Sequence, residues 1–330
     1  MSRTTVVVTP DPRRSSPARV RVETDGPRGR AHLGARLLGV RGDVVRIALV
    51  AEGALLLAGD EVDLRLLVGH GCRLEVVEPS GTVAYDMRGG SATWSVAIEA
   101  DDGGEVVWAA PPFVVAGGAD VSRSLTVDLA DDAWVRMREV LVLGRSREVG
   151  GQVAQSTRVL HGGLPLHLED LVLDGARPRL GVLGAPGGPG GTDVPGAPSV
   201  PGAPSVPGAP RVPGAPSVPG VLRGLRVVDT VSAFGVRAPG IPLPEGAHRL
   251  DLEAEATLLR SLGDQAHLAS LDAVWSALAA AEKSRPRTAR TQEDSYDVRP
   301  DDGGAGVGQR SRVAAAPGGR VVRGDLAQPC

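Results

Sequence analysis

Four times along this chain a strand-like stretch enters a Gly- or Asp-rich turn and leaves it as a second strand-like stretch. The copies begin at Arg65 (RLLVGHGCRLEVV), Ser95 (SVAIEADDGGEVVWA), Thr126 (TVDLADDAWVRMREV) and Thr157 (TRVLHGGLPLHLEDL). The apolar residues closing their first halves are Val68, Ile98, Leu129 and Leu160, spaced 30, 31 and 31 apart. Within the flanks the alternation has period two: Val62, Leu64, Leu66, Val68; then Trp94, Val96, Ile98; then Leu125, Val127, Leu129. That is the pattern of half-buried strands with one dry and one wet face. A weaker fifth copy spans Arg36 to Ile47. Recurrence at this period points to stacked layers, each burying its apolar face on the next. An antiparallel sandwich also spaces strands evenly and stays open as the alternative.

The core of such a stack must be aliphatic, because Phe, Trp and Tyr together number only 8 of 330 residues. No run of eighteen apolar residues occurs, so no membrane-spanning helix is expected. The N-terminus lacks the apolar segment of a secretory signal, and Cys72 and Cys330 are the only cysteines. A cytoplasmic protein without a disulfide framework is expected. Net charge is −3, with basic ends flanking a mildly acidic middle, which argues against nucleic acid as partner.

Composition divides the chain. Residues 1–17 read as a disordered basic arm, polar and broken by proline, and residues 18–180 as the β-helical core. Residues 181–220 collapse to Gly, Pro, Ala, Ser and Val, with ValProGlyAlaProSer recurring from Val194, Val200, Val206 and Val212. Each Pro-Gly suits a type II turn, and each proline denies a sheet its N–H donor. A disordered loop is expected there. Strand character resumes from Val221 to Val231. A helical segment is expected over Ala254 to Glu282, as two short helices with Asp264 capping a start. Leu268, Leu271, Trp275 and Leu278 would form its buried face. Residues 221–282 thus supply the last strands and helices of the core. Residues 283–330 read as a disordered tail. The fold class expected is mainly β, a solenoid-like stack of short strands with a small C-terminal helical element.

Familiar catalytic signatures do not occur. The one lysine, Lys283, sits outside any GxxxxGK[ST] loop, and no CxxC, HExxH or GxSxG is found. His70 and Cys72 flank Gly71 and together offer an imidazole and a thiolate to a borderline metal ion. Their setting also reads as an ordinary turn between strands, and two ligands do not make a stable site. His161 falls in a turn and His167 on a strand, each read as a surface or satisfied histidine. Glu139 interrupts the apolar run ArgGluValLeuValLeuGly and is followed by Gly144 and Arg145, so it suits a polar path or a structural ion pair. Asp60 follows Gly59, where a simple turn suffices.

The order of these pieces resembles the urease accessory protein D family, called the H protein in some bacteria. The resemblance rests on GALLLAGDEV (Gly53–Val62), VGHGCRLEV (Val68–Val76), TVAY (Thr82–Tyr85), VVWAAPPF (Val106–Phe113), EVLVLGR (Glu139–Arg145) and LDAVW (Leu271–Trp275). The family's Trp-Leu-Pro-Glu-Pro is here Trp108-Ala-Ala-Pro-Pro112, so Pro111 replaces its acidic residue, and the hexapeptide tract has no family counterpart. The resemblance implies a divergent member that is a β-helical scaffold and not an enzyme. It also implies that the chain binds a helical F-type accessory protein, recruits a GTP-hydrolysing G-type protein, and delivers nickel to apo-urease. Nickel would be in transit, with no stably bound cofactor, and Asp60, Glu139 and Arg145, with Gly144, are the candidates to line a polar path.

Two other readings compete. The hexapeptide tract resembles elastin-like material and suggests an extracellular structural protein, although a signal peptide would then be expected. A β-solenoid carbohydrate-active enzyme would need paired carboxylates and an aromatic-lined groove, which eight aromatics hardly supply.

Overall fold

A computed structural model describes residues 1–12, 17–26, 32–175, 181–182 and 225–283. The hexapeptide tract and the tail from residue 284 lie outside the described residues. Residues 1–279 form one compact unit, and the second, from Ala280, lies almost wholly outside them. Along the chain come β1 (Ser2–Thr9), β2 (Arg19–Asp25), β3 (His32–Arg41) and β4 (Val44–Glu52). Then follow β5 (Glu61–Val68), β6 (Arg73–Val77), β7 (Thr82–Ala84), β8 (Ala92–Ala100), β9 (Glu105–Ala109) and β10 (Phe113–Val115). The rest are β11 (Asp120–Leu129), β12 (Trp134–Leu143), β13 (Gln152–His161), β14 (Leu164–Asp174), β15 (Gly181–Val182), β16 (Val227–Phe234), β17 (Ala247–Asp251), β18 (Ala256–Gly263) and α1 (Asp272–Lys283).

Three of the four recurring units are coils of a solenoid. Each places its first strand (β5, β8, β11) in one sheet and its second (β6, β9, β12) in another. The connecting turns are closed alike, by Cys72 N–H to Gly69 C=O at 3.1 Å, Gly104 to Asp101 at 2.6 Å and Ala133 to Ala130 at 3.0 Å. Turns stack as well as strands, since Asp101 N–H reaches Val68 C=O and Ala130 N–H reaches Ala100 C=O. The first sheet runs β15-β14-β13-β11-β8-β5-β1-β2 and the second β17-β18-β16-β12-β9-β6-β4-β3. Their central ladders, β13-β11-β8-β5-β1 and β12-β9-β6-β4, are parallel. Short β7 and β10, with the end of β12, form a third parallel ladder. Sequential coils in parallel register are the stacked architecture. The sandwich alternative does not hold at the centre, although the outermost pairings of both large sheets are antiparallel.

The fourth unit departs from the first three. Gly162 and Gly163 both take positive φ, 56° and 75°. That is the geometry of a two-residue type I′ hairpin, so β14 folds back beside β13 in the same sheet. The weak fifth copy is likewise a hairpin, β3–β4. The columns across the stack also differ from those expected. Ile98 pairs with Leu66 and Val127, while Val68 and Leu129 flank Ala100. Leu160 lies opposite Asp128, on the other phase. The coils are therefore not of equal length, and the period alone could not set the register.

Two further expectations are corrected. Residues 2–9 of the supposed arm are β1, which runs parallel to β5 and buries Ser2, Thr4, Val6 and Val8. The run of β-branched residues Thr4 to Val8 outweighs Arg3 and the prolines that follow. The expected helix beginning near Ala254 is largely β18. Ala256 and Leu258 face the main core while Leu259 packs under α1. A strand buried on both faces shows no alternation and imitates a helical apolar run. Leu268 is exposed, and Asp264 sits in a bend before the helix. Ser270 caps α1, its Oγ accepting from Asp272 N–H at 3.2 Å. Leu271, just before α1, and Val274 and Leu278 within it pack on Val231, Ala233 and Leu259, on the outer face of the second sheet.

Candidate functional site

Between the two sheets the core is apolar except along one polar seam. On the first sheet the inward phase of β11 reads Val121, Arg123, Leu125, Val127 and that of β14 reads His167, Glu169, Leu171, Leu173. On the second sheet Glu139 lies opposite Thr230, which lies opposite Arg260. Glu78, just past β6, extends the same row, because Val77 and Arg138 both pair with Ala109. The seam thus crosses successive strands and runs along the axis of the stack.

Charges placed in such an interior must be paired. Arg123 crosses between the sheets to donate to Glu139 at 2.9 Å, and its other terminal nitrogen donates to Gln155 at 2.7 Å. Its guanidinium lies 4.3 Å from the Phe113 ring centre. Arg260 makes two bonds to Glu169, at 2.7 and 2.8 Å, and a third to Thr230 at 3.1 Å. His167 stacks on Phe234 at 5.5 Å. Trp108 Nε1 donates to Glu78 at 2.8 Å. One cavity lies against Glu78, Trp94, Trp108 and Phe113, and a second against His167, Glu169, Phe234 and Arg260. Both are lined by Arg123, Leu125, Glu139 and Gln155, where they adjoin.

Burial pushes the Glu78 carboxyl up to about 7, against the Trp108 hydrogen bond and the Arg123 charge, with Glu139 adding to the rise. Glu169 is held below the usual carboxylate range by its Arg260 hydrogen bonds, despite burial. Burial also lowers His167 from its ordinary value, against the Glu169 charge and with Arg260 adding to the fall. Burial opposes the charge on Arg260, yet the bonds it donates to Glu169 leave its pKa raised. Glu139 acts on both Glu78 and Arg260, so it couples the two cavities electrostatically.

Of the residues singled out from the sequence, Glu139 lies in the seam, and its ion pair is with Arg123 on the facing sheet. Asp60 closes a turn, its carboxylate accepting Leu57 N–H at 2.9 Å. Arg145 is exposed and bound to Glu148 by two side-chain bonds of 2.9 Å, and Gly144 turns the chain there with φ 78°. Neither Asp60, Gly144 nor Arg145 lines either cavity. His70 stands outside, 3.6 Å from Asp102, while Cys72 is buried with its thiol pushed up to about 11 by burial, then by Asp43 and Asp101. Among the described residues no three His, Cys, Asp or Glu side chains converge as a metal site. Arg123, Glu78, Glu169 and Arg260 escaped the sequence reading. The signal was present in each case as a charged residue on the inward phase, as in Leu74, Val76, Glu78. Pro111, which stands where the family's acidic residue would be, lines the first cavity, and Glu78 supplies a carboxylate to that same space.

A β-helical stack with a half-buried polar seam between its two sheets is a solenoid whose charged groups gather along one line. Residues 21–293 match the model of the family described as UreD urease accessory protein, and the chain belongs to that family. A Streptomyces griseus protein named urease accessory protein UreD 1 is 40% identical over 226 residues, 68% of this chain and 72% of that protein. A Saccharopolyspora erythraea protein of the same name is 40% identical over 121 residues, covering 36% of this chain and 48% of its own length. A Frankia alni urease accessory protein UreD is 42% identical over 114 residues, 34% of this chain and 38% of the relative. No helix among the described residues is long and apolar enough to cross a membrane.

Proposed function

We propose that this chain is a non-enzymatic scaffold for urease maturation that carries nickel through its polar seam. In this reading it works in the cytoplasm, in an assembly with F-type and G-type accessory proteins, and the assembly delivers nickel into apo-urease. The observation that carries the reading is the row Glu78, Glu139, Glu169, three half-buried carboxylates spaced along a seam with apolar walls.

Nickel is the cargo here, a borderline divalent ion that accepts carboxylate and imidazole donors. Single carboxylates spaced along a path hold it less tightly than a converging set of four ligands would. Transit needs sites attractive enough to enter and weak enough to leave. Against the three carboxylates stand two guanidinium groups, Arg123 and Arg260, so the seam carries one net negative charge when all are ionised. The GTP chemistry belongs to the G-type partner.

The test is co-expression with apo-urease and its accessory set. Glu139→Leu should lower nickel per urease by about tenfold or more while leaving capture of the F-type protein intact. Full nickel loading in that variant would refute transit through the seam. Failure of the wild-type chain to capture an F-type protein would refute the assembly.

A further inference from the structure

We infer that Arg123 is the gate of this passage, a guanidinium that a divalent cation must displace from Glu139 before it can cross between the two cavities. The inference rests on the proposal that the seam conducts nickel, and it adds what controls the crossing. Arg123 and Glu139 are the charged pair where the cavities adjoin, and they spring from opposite sheets, β11 and β12. Their bond therefore spans the passage. A cation entering beside Glu169 meets the guanidinium on Oε1 of the middle carboxylate before it reaches Glu78 and the first cavity.

The way Arg123 is held suits exchange. The bond to Glu139 is its link across the passage, whereas Gln155, beside it on β13, and the Phe113 face give the guanidinium somewhere to remain when that link breaks. Its Nε is buried with no hydrogen-bond partner, so the group is not fixed by its full set of donors. Charge decides which ions succeed. A carboxylate attracts a divalent ion twice as strongly as a monovalent ion at equal distance. The same guanidinium that nickel displaces should hold potassium back.

Purified full-length protein tests this with Ni²⁺ alone as the probe. Trp94 and Trp108 line the first cavity, and a paramagnetic ion arriving there quenches indole fluorescence. Stopped-flow mixing should give a slow quenching phase in wild type that KCl barely alters. In Arg123→Gln that phase should be about tenfold faster and should become sensitive to competition by K⁺. Arg123→Lys, which keeps the positive charge, should retain discrimination against K⁺. Gln155→Ala leaves no charge unpaired and removes an amide that holds the displaced guanidinium, so it should slow entry by a smaller factor, which keeps the test alive if Arg123→Gln folds poorly. Unchanged rates and K⁺ sensitivity in folded Arg123→Gln, or in Gln155→Ala if it does not fold, would overturn the gate while the passage stands. If Ni²⁺ never quenches in wild type, and Glu139→Leu still permits full urease loading, gate and passage fall together.

Discussion

Glu78 is the seam's least compensated carboxylate, with one neutral donor, Trp108, where Glu139 and Glu169 each have a guanidinium. Its carboxyl moves from 4.5 in an ordinary setting to about 7 here, chiefly through burial. The folded chain therefore binds this proton more tightly than the unfolded chain does. The stabilisation that follows is complete below about 4.5, is lost as pH rises toward about 7, and changes little beyond. At about 1.4 kcal/mol per unit, the loss is at most ~3 kcal/mol. Glu169 and His167, both lowered, act in the opposite direction, so the comparison must be with a variant at the same pH. Glu78→Gln keeps an oxygen for Trp108 and cannot ionise. Its melting temperature relative to wild type should rise between pH 5 and pH 8, and a constant difference would show that Glu78 titrates normally. Such residues were readable in principle. Alternation marks Glu78, Arg123 and Glu169 as inward, but whether an inward charge meets a partner depends on the facing sheet. That pairing, Arg123 with Glu139 or Arg260 with Glu169, joins residues distant in sequence.

At the scale of elements, α1 is fastened by a buried ionic latch. Arg138, on the outward phase of β12, donates to both oxygens of Asp229 at 3.1 and 2.7 Å, and also bonds Asp272 of the helix. Asp229, only 1% exposed, accepts Leu271 N–H at 2.8 Å as well, at the very start of the helix. Removing Arg138 strands a buried carboxylate, a change that typically costs about 3–5 kcal/mol. Arg138→Leu should therefore lose roughly that much in urea unfolding. Adding Asp229→Asn should recover a good part, because the amide still accepts from Leu271 without carrying charge. Equal losses in the single and double variants would mean that the latch contributes packing alone. The helix itself was legible from Leu271, Trp275 and Leu278. The preceding β18 was not, because burial on both faces erases the alternation that identifies strands. The hairpin at Gly162-Gly163 could be read as a turn, but its two-residue length, which ends the run of crossing coils, emerged only with the fold.

For the whole molecule, a stack of coils is bound mainly to its nearest neighbours, and its ends decide whether it remains a monomeric unit or offers open edges. The parallel ladder of the first sheet continues through β5 to β1, and β2 then covers β1 in antiparallel fashion. A chain lacking residues 2–9 would expose the backbone edge of β5 and uncover the layer formed by Val62, Leu64 and Leu66, each at most 3% exposed in the intact fold. Two consequences should separate. The deletion should lower the unfolding free energy by several kcal/mol, since Val6 and Val8 alone bury side chains worth about 1.5–3 kcal/mol each. It should also turn the protein into concentration-dependent aggregates by light scattering, because an unpaired parallel edge is a template for further strands. Val6→Ala should cost stability in proportion to its lost methyl groups while leaving the β5 edge covered, and so should not aggregate at the temperature where the deletion does. If the truncated chain stayed monodisperse with an unchanged midpoint, β1 would be an ornament on the stack, and the capped-solenoid account of this fold would be wrong at that end.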